Sequence, residues 1–167
     1  MTPEAQQQIE GFLRHLYDER HCSPHTLKAY QRDLNSFLAY CDRASLLVWD
    51  ELDRDTVQGF VAQRHREGLS PASLGRVLSS IRGFCEYLIG EDVLQQNPAA
   101  DVKSPKKPRK LPKAMDAESV SRLLDGIQGD EPIALRDRAI LELFYSSGLR
   151  LAELAGLDVD DIDQSDA

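Results

Sequence analysis

Apolar residues recur at spacings of three and four along most of the chain, which is the pattern of helices that bury one face. The punctuation agrees with it. Thr2-Pro3 opens a first stripe of Ile9, Phe12, Leu13 and Leu16, and Ser23-Pro24 opens a second of Leu27, Tyr30, Leu34, Phe37, Leu38 and Cys41. Asp53 stands as cap to a third through Val57, Phe60 and Val61, with Gly68 placed to end it. Ser70-Pro71 opens a fourth through Leu74, Val77, Leu78, Ile81, Phe84 and Leu88, stopping at Gly90. Residues 1–100 therefore read as one four-helix domain.

From Asn97-Pro98 to Pro112 the period is lost and four prolines appear, so the stretch reads as an extended linker, with 101–113 as its basic part. Beyond it Asp116 caps a helix through Val120, Leu123, Leu124 and Ile127. Another follows Glu131-Pro132 through Ile133, Ile140, Leu143 and Phe144 to Gly148, and a short turn runs from Arg150 to Ala155. The tail 157–167 holds five aspartates in eleven residues and no further apolar period. No strand-like alternation and no internal repeat appears. Residues 114–167 offer too little apolar surface for a core of their own, so they read as the truncated start of a domain.

Charge sharpens this organisation. The net charge of -8 argues against a protein that coats nucleic acid indiscriminately. Its distribution says more: residues 1–100 carry 10 basic and 14 acidic groups, residues 101–113 carry 6 and 1, and residues 114–167 carry 4 and 13. A basic hinge joins two acidic bodies. Lys103, Lys106, Lys107, Arg109, Lys110 and Lys113 suit contact with a polyanion, or equally a solvating hinge. The N-terminus has neither the basic nor the apolar part of a signal peptide, and no apolar run is long enough to span a bilayer; the expected compartment is cytoplasmic. Three widely spaced cysteines, Cys22, Cys41 and Cys85, fit a reducing environment. His21, Cys22 and His25 match no zinc spacing, so no metal is expected.

Chemistry concentrates in the stretch Ser147-Gly148-Leu149-Arg150-Leu151-Ala152-Glu153-Leu154. Gly148 can take the left-handed conformation that stops one helix, so that Arg150 starts the next. An arginine offers a permanently charged, planar fork of donors suited to a phosphate that gains charge in a transition state. Glu153, three residues on, can hold that guanidinium, although on spacing alone an ordinary surface pair is the commoner case. The stretch resembles the arginine box of the tyrosine recombinases, the phage-integrase family, in its Xer branch. Ser23-Pro24-His25-Thr26 with Tyr30, Asp33 and Leu34, and Asn97-Pro98 with Leu111-Pro112-Lys113, resemble other parts of that branch in the same order. The run Pro108-Arg109-Lys110-Leu111-Pro112 leans toward the XerC group.

The resemblance implies an all-α chain: a SAM-like core-binding domain, a basic linker and the first helices of a catalytic domain. It implies site-specific DNA recombination through a phosphotyrosyl intermediate, in the service of chromosome dimer resolution at cell division, without metal or nucleotide cofactor. It implies two partners, a double-stranded DNA recombination site and a sister recombinase of the XerD type in a heterotetramer. Arg150 matches the family's catalytic arginine and Glu153 its supporting glutamate. The family's lysine, His-x-x-Arg box and nucleophilic tyrosine have no counterpart among these residues, so the chain is expected to bind DNA without cutting it. Tyr145, in an apolar helix, is expected to pack in a core.

Two polar helix faces are the expected DNA contacts. Ser23, His25, Thr26, Lys28 and Arg32 on the second helix, and Ser73, Arg76, Ser80 and Arg82 on the fourth, avoid much of the apolar stripes, and both helices begin with Ser-Pro. Lys106, Lys107, Arg109 and Lys110 complete the set. Composition alone favours solvated surface for such faces, and it is the resemblance that assigns them to DNA. The competing readings are a phage or integron integrase, and a helical interaction module that never meets DNA.

Overall fold

A computed structural model describes residues 2–104 and 114–161. All regular elements among them are helical. The first four are α1 (Pro3–Asp18), α2 (Pro24–Arg43), α3 (Arg54–Arg66) and α4 (Pro71–Gly90), with a 3-10 turn at Trp49–Glu51 between α2 and α3. After the basic stretch come α5 (Ala117–Asp125), α6 (Pro132–Ser147) and α7 (Leu151–Ala155), followed by a 3-10 turn at Val159–Asp161. The chain divides into two compact units, Met1–Arg109 and Lys110–Ala167.

Local chemistry sets the helix starts. Ser23 Oγ accepts from the Thr26 N–H at 3.3 Å, Asp53 Oδ1 from Thr56 at 2.8 Å, Ser70 Oγ from Ser73 at 3.2 Å and Asp116 Oδ1 from Ser119 at 2.7 Å. Each cap satisfies a donor that the first turn leaves without a partner. Pro24 and Pro71 follow their caps at the first helical position, where the missing N–H costs nothing.

The core of the first unit is an aromatic chain that crosses all four helices. Phe12 of α1 meets Phe84 of α4, Phe84 meets Trp49 edge-on at 5.0 Å, Trp49 stacks on Phe37 of α2, and Phe37 meets Phe60 of α3 at 5.0 Å. Trp49, absent from every helical stripe, is 1 % exposed and donates its indole N–H to the Ala5 carbonyl at 3.2 Å. A lone tryptophan in the turn between helices therefore closes the bundle.

The chain leaves this bundle later than the proline pattern indicates. Ala99 and Val102 are buried, and Arg82 donates through Nε to the Ala99 carbonyl at 3.0 Å and through Nη2 to that of Val102. Asn97 donates to the Arg82 carbonyl and accepts from the Ala99 N–H. Residues 97–102 are thus docked on α4 by specific hydrogen bonds.

In the second unit, α6 packs against α5 and α7, and Arg138 donates to the Ile127 carbonyl at 2.7 Å. None of the described residues of these helices is buried. Tyr145 is 63 % exposed, which corrects the expectation that it packs in a core.

Candidate functional site

α2 and α4 pack together and begin alike. In each, the cap serine bonds the hydroxyl three residues on, Ser23 Oγ to Thr26 Oγ1 and Ser70 Oγ to Ser73 Oγ, both at 3.0 Å. The expected α2 residues lie where a ligand can reach them. Ser23, His25, Lys28 and Arg32 are exposed and Thr26 is half-buried.

On α4 the outcome differs residue by residue. Ser73 stays half-buried in the first turn. Arg76 turns inward: its Nη1 lies 2.5 Å from Asp33 Oδ2 and also donates to the Ala29 carbonyl, bridging α4 to α2. Burial pushes the Asp33 carboxyl above its ordinary range, while the Arg76 guanidinium works against that rise. Asp33 had carried only part of a resemblance; nothing in its spacing announced a buried carboxylate, because its partner is 43 positions away. Ser80 is fully buried, with its hydroxyl on the Val77 carbonyl at 2.8 Å, so the expected surface role is corrected by its core-facing position. Arg82 is occupied with the exit segment. Lys106, Lys107, Arg109 and Lys110 lie outside the described residues.

The second unit presents its arginine by local bonds alone. Gly148, at φ 63°, ends α6 in the left-handed conformation with its N–H on the Phe144 carbonyl. Arg150 is the extended residue that caps α7, and Glu153 closes a reciprocal arrangement on it. The Arg150 backbone N–H donates to Glu153 Oε2 at 2.7 Å and its guanidinium Nη1 to Oε1 at 2.8 Å. These donors hold the Glu153 carboxyl below its ordinary value, the backbone N–H foremost. One carboxylate thereby fixes both ends of the arginine, whose side chain is 85 % exposed and keeps further N–H donors open to a ligand.

Other chemistries find less support. Cys41 and Cys85 are buried and their thiols are pushed up to about 12, so they stay protonated and inert at neutral pH. Among the described residues no group of three or more His, Cys, Asp or Glu stands where it could hold a metal ion. No helix among them is long and apolar enough to cross a membrane.

Comparison with known proteins gives the class to which this helical bundle, with its glycine-stopped helix and glutamate-held arginine, belongs. The description "Phage integrase, N-terminal SAM-like domain" matches residues 9–92, and "Phage integrase family" matches residues 113–167. The chain belongs to the phage integrase family. Among curated relatives, it is 47 % identical over 161 residues to the tyrosine recombinase XerC of Pseudomonas syringae pv. tomato, an alignment covering 96 % of this chain and 54 % of that protein. It is 48 % identical over 155 residues to the tyrosine recombinase XerC of Pseudomonas aeruginosa, covering 93 % and 51 %. The chain thus spans about half the length of the curated relatives it matches. Among solved structures, the Tn1549 transposon integrase in complex with circular intermediate DNA aligns with a TM-score of 0.69 at 18 % identity, over 95 % of this chain and 51 % of that one. The N-terminal domain of a phage integrase/site-specific recombinase from Haloarcula marismortui aligns at 0.55 and 19 % identity, over 60 % and 95 %. These two likenesses establish the fold.

Proposed function

We propose that this chain takes part in site-specific DNA recombination of the XerC type, with a double-stranded recombination site as its substrate and a sister recombinase of the XerD type as its partner. The reading is carried by one observation: Arg150, inside a stretch that matches the family, is presented to solvent by a glutamate that bonds both its backbone and its guanidinium. Such an arginine stabilises the charge that builds on a phosphodiester as a tyrosine hydroxyl attacks it and the 5'-hydroxyl departs. Glu153 positions it. In this division of labour α2, the first turn of α4 and the basic stretch bind the duplex, and the two units correspond to a core-binding domain and the opening of a catalytic domain. None of the five tyrosines stands in the family's nucleophile context, so these 167 residues bind the site and leave it uncut.

The test is a gel shift of the 167-residue chain against duplex, at two salt concentrations, with a candidate recombination site and a scrambled control. Binding that weakens steeply with salt and favours the site is expected. Absence of binding at low salt would leave a helical interaction module as the better reading. A nicked suicide duplex should trap no covalent adduct with this chain. In a chain extended to the relatives' length, Arg150→Ala should lower cleavage on the order of a thousandfold at unchanged site affinity, because the arginine acts on transition-state charge.

A further inference from the structure

One concavity of the first unit reverses the sign of the molecule's overall charge. Between α2, α3 and α4 lies a groove of about 330 Å³ lined by Arg32, Arg64, Arg76, Asp33 and Ser73, over a floor that includes Phe60 and Val77. Three guanidinium groups thus face one carboxylate, in a chain whose net charge is -8. A larger concavity, lined by Asp50, Asp53, Asp92 and Asp101 with Arg54, carries the opposite sign and would repel an anion.

The three arginines are not equivalent. Arg76 is committed through Nη1 to Asp33, the groove's one carboxylate, and to the Ala29 carbonyl. Arg32 is exposed and has no hydrogen bond or ion pair among the described residues. Arg64, on α3, pairs with Glu67 through Nη1 at 2.5 Å, while its Nε is a buried donor with no acceptor. Glu67 is itself shared, because it also accepts from Gln63 Nε2 at 2.7 Å. Ser73 Oγ accepts from Ser70, which leaves its own hydroxyl hydrogen for another group. Two guanidinium groups and a hydroxyl at the first turn of a 20-residue helix thus share one groove, short of acceptors.

We propose that this groove seats a backbone phosphate of duplex DNA on Arg32, Arg64 and the Ser73 hydroxyl, which adds α3 to the binding surface and removes Arg76 from it. The inference rests on the DNA-binding reading above and assigns contacts within it. Arg76 becomes a positioning residue: paired with Asp33, it fixes α4 against α2 and so sets the distance between Ser73 and Arg32. A phosphate contact carries no sequence information by itself, so the groove contributes affinity and register equally on any duplex.

The test compares salt dependence of duplex binding by the 167-residue chain and by Arg64→Gln, Arg64→Lys, Arg32→Gln and Arg66→Gln variants. Arg66 is exposed on the same helix and does not line the groove, so it controls for charge alone. Arg64→Gln and Arg32→Gln should each weaken binding roughly three- to tenfold, on site and scrambled duplex alike, and reduce the slope of log K against log salt by about 0.9. Arg64→Lys should keep the parent slope, because the charge that meets the phosphate is retained. The groove assignment is overturned if Arg64→Gln keeps the parent slope and affinity, or if Arg66→Gln loses as much as Arg64→Gln. Failure of the parent chain to bind any duplex would instead overturn the DNA-binding reading, and the groove with it.

Discussion

The two units use the same helix grammar with opposite results for burial. Both units start most of their helices at side-chain caps, α1 and α6 excepted, and both carry apolar stripes, yet Phe37, Trp49, Phe60 and Phe84 are almost wholly buried while Ile133 and Leu151 are 64 % and 71 % exposed. A cap is worth roughly 1 kcal/mol and decides where a helix starts. Lasting order comes from the burial of the stripe against other elements, which only the first unit supplies among the described residues. The functional consequence follows. Surfaces that need several helices held at fixed spacing, such as the groove between α2, α3 and α4, belong to the first unit. Arg150 is specified by seven consecutive residues, Ser147 to Glu153, through a left-handed glycine and a reciprocal cap, and needs no long-range packing to take its local shape.

The most direct way to break this contrast is to remove one apolar side chain from each unit. Phe37→Ala should destabilise the bundle by about 3–5 kcal/mol, because the ring bridges Trp49 and Phe60 and its loss leaves a cavity. Leu151→Ala should change stability by less than about 0.5 kcal/mol, as exposed substitutions do. Trp49 is the only tryptophan, so its fluorescence during denaturant unfolding reports the bundle alone, while backbone amide exchange reports α5 to α7. Equal costs at the two positions would mean that the second unit has a core of its own.

Charge pairs sharpen the same contrast at smaller magnitude. Arg76–Asp33 is partly withdrawn from water, with side chains 39 % and 9 % exposed, whereas Arg150–Glu153 stands at 85 % and 46 %. Arg76→Ala should cost about 2 kcal/mol, less than a fully buried pair, since it leaves the Asp33 carboxylate in the bundle without its partner. Asp33→Asn in the same chain should recover part of that loss. Arg150→Ala should leave the unfolding midpoint of the bundle where it was. An Arg76→Ala variant as stable as the parent would show that the Asp33 charge is solvated after all.

Much of this architecture was legible in the sequence because its signals are local. Ser23, Asp53, Ser70 and Asp116 cap the helices that their position announced, and Gly148 stops α6 as a residue free to adopt positive φ. The reciprocal bonding of Arg150 and Glu153 was likewise open to a three-residue spacing. What escaped is long-range or breaks the polar-outside rule. Trp49 sits in a turn with no period to flag it, and Asp33 finds Arg76 only once α2 meets α4. Ser80 hides a hydroxyl in the core because a carbonyl three residues back satisfies it. Arg64 was passed over because α3 shows no Ser-Pro start, and its place beside Arg32 exists only in three dimensions.

Acid separates the regions most finely. Glu153 is held below its ordinary 4.5 by the Arg150 N–H and guanidinium, and Asp116 below its ordinary 3.8 by Ser119. A carboxyl whose native value is depressed binds protons more weakly folded than unfolded, so its contribution is present above the ordinary value and is lost as pH falls through the native one. Asp33 has the opposite sign: burial raises it, so its contribution is greatest below 3.8 and is lost as pH rises through its native value. The bundle also has a depressed cap in Asp53, bonded by Thr56, and so carries carboxyls of both signs. Lowering the pH from about 6 toward about 3 should therefore weaken the caps of α5 and α7, whereas Asp33, which takes up its proton at higher pH than Asp116, sheds the cost of its buried charge as it does so. Amide chemical shifts follow this directly. The Arg150 N–H should titrate below 4.5 as Glu153 releases it, and the carboxyl carbon of Asp33 above 3.8. An Arg150 amide that titrates at or above 4.5 would mean that Glu153 does not hold it in solution, and Arg150 would lose the one support that the local sequence provides.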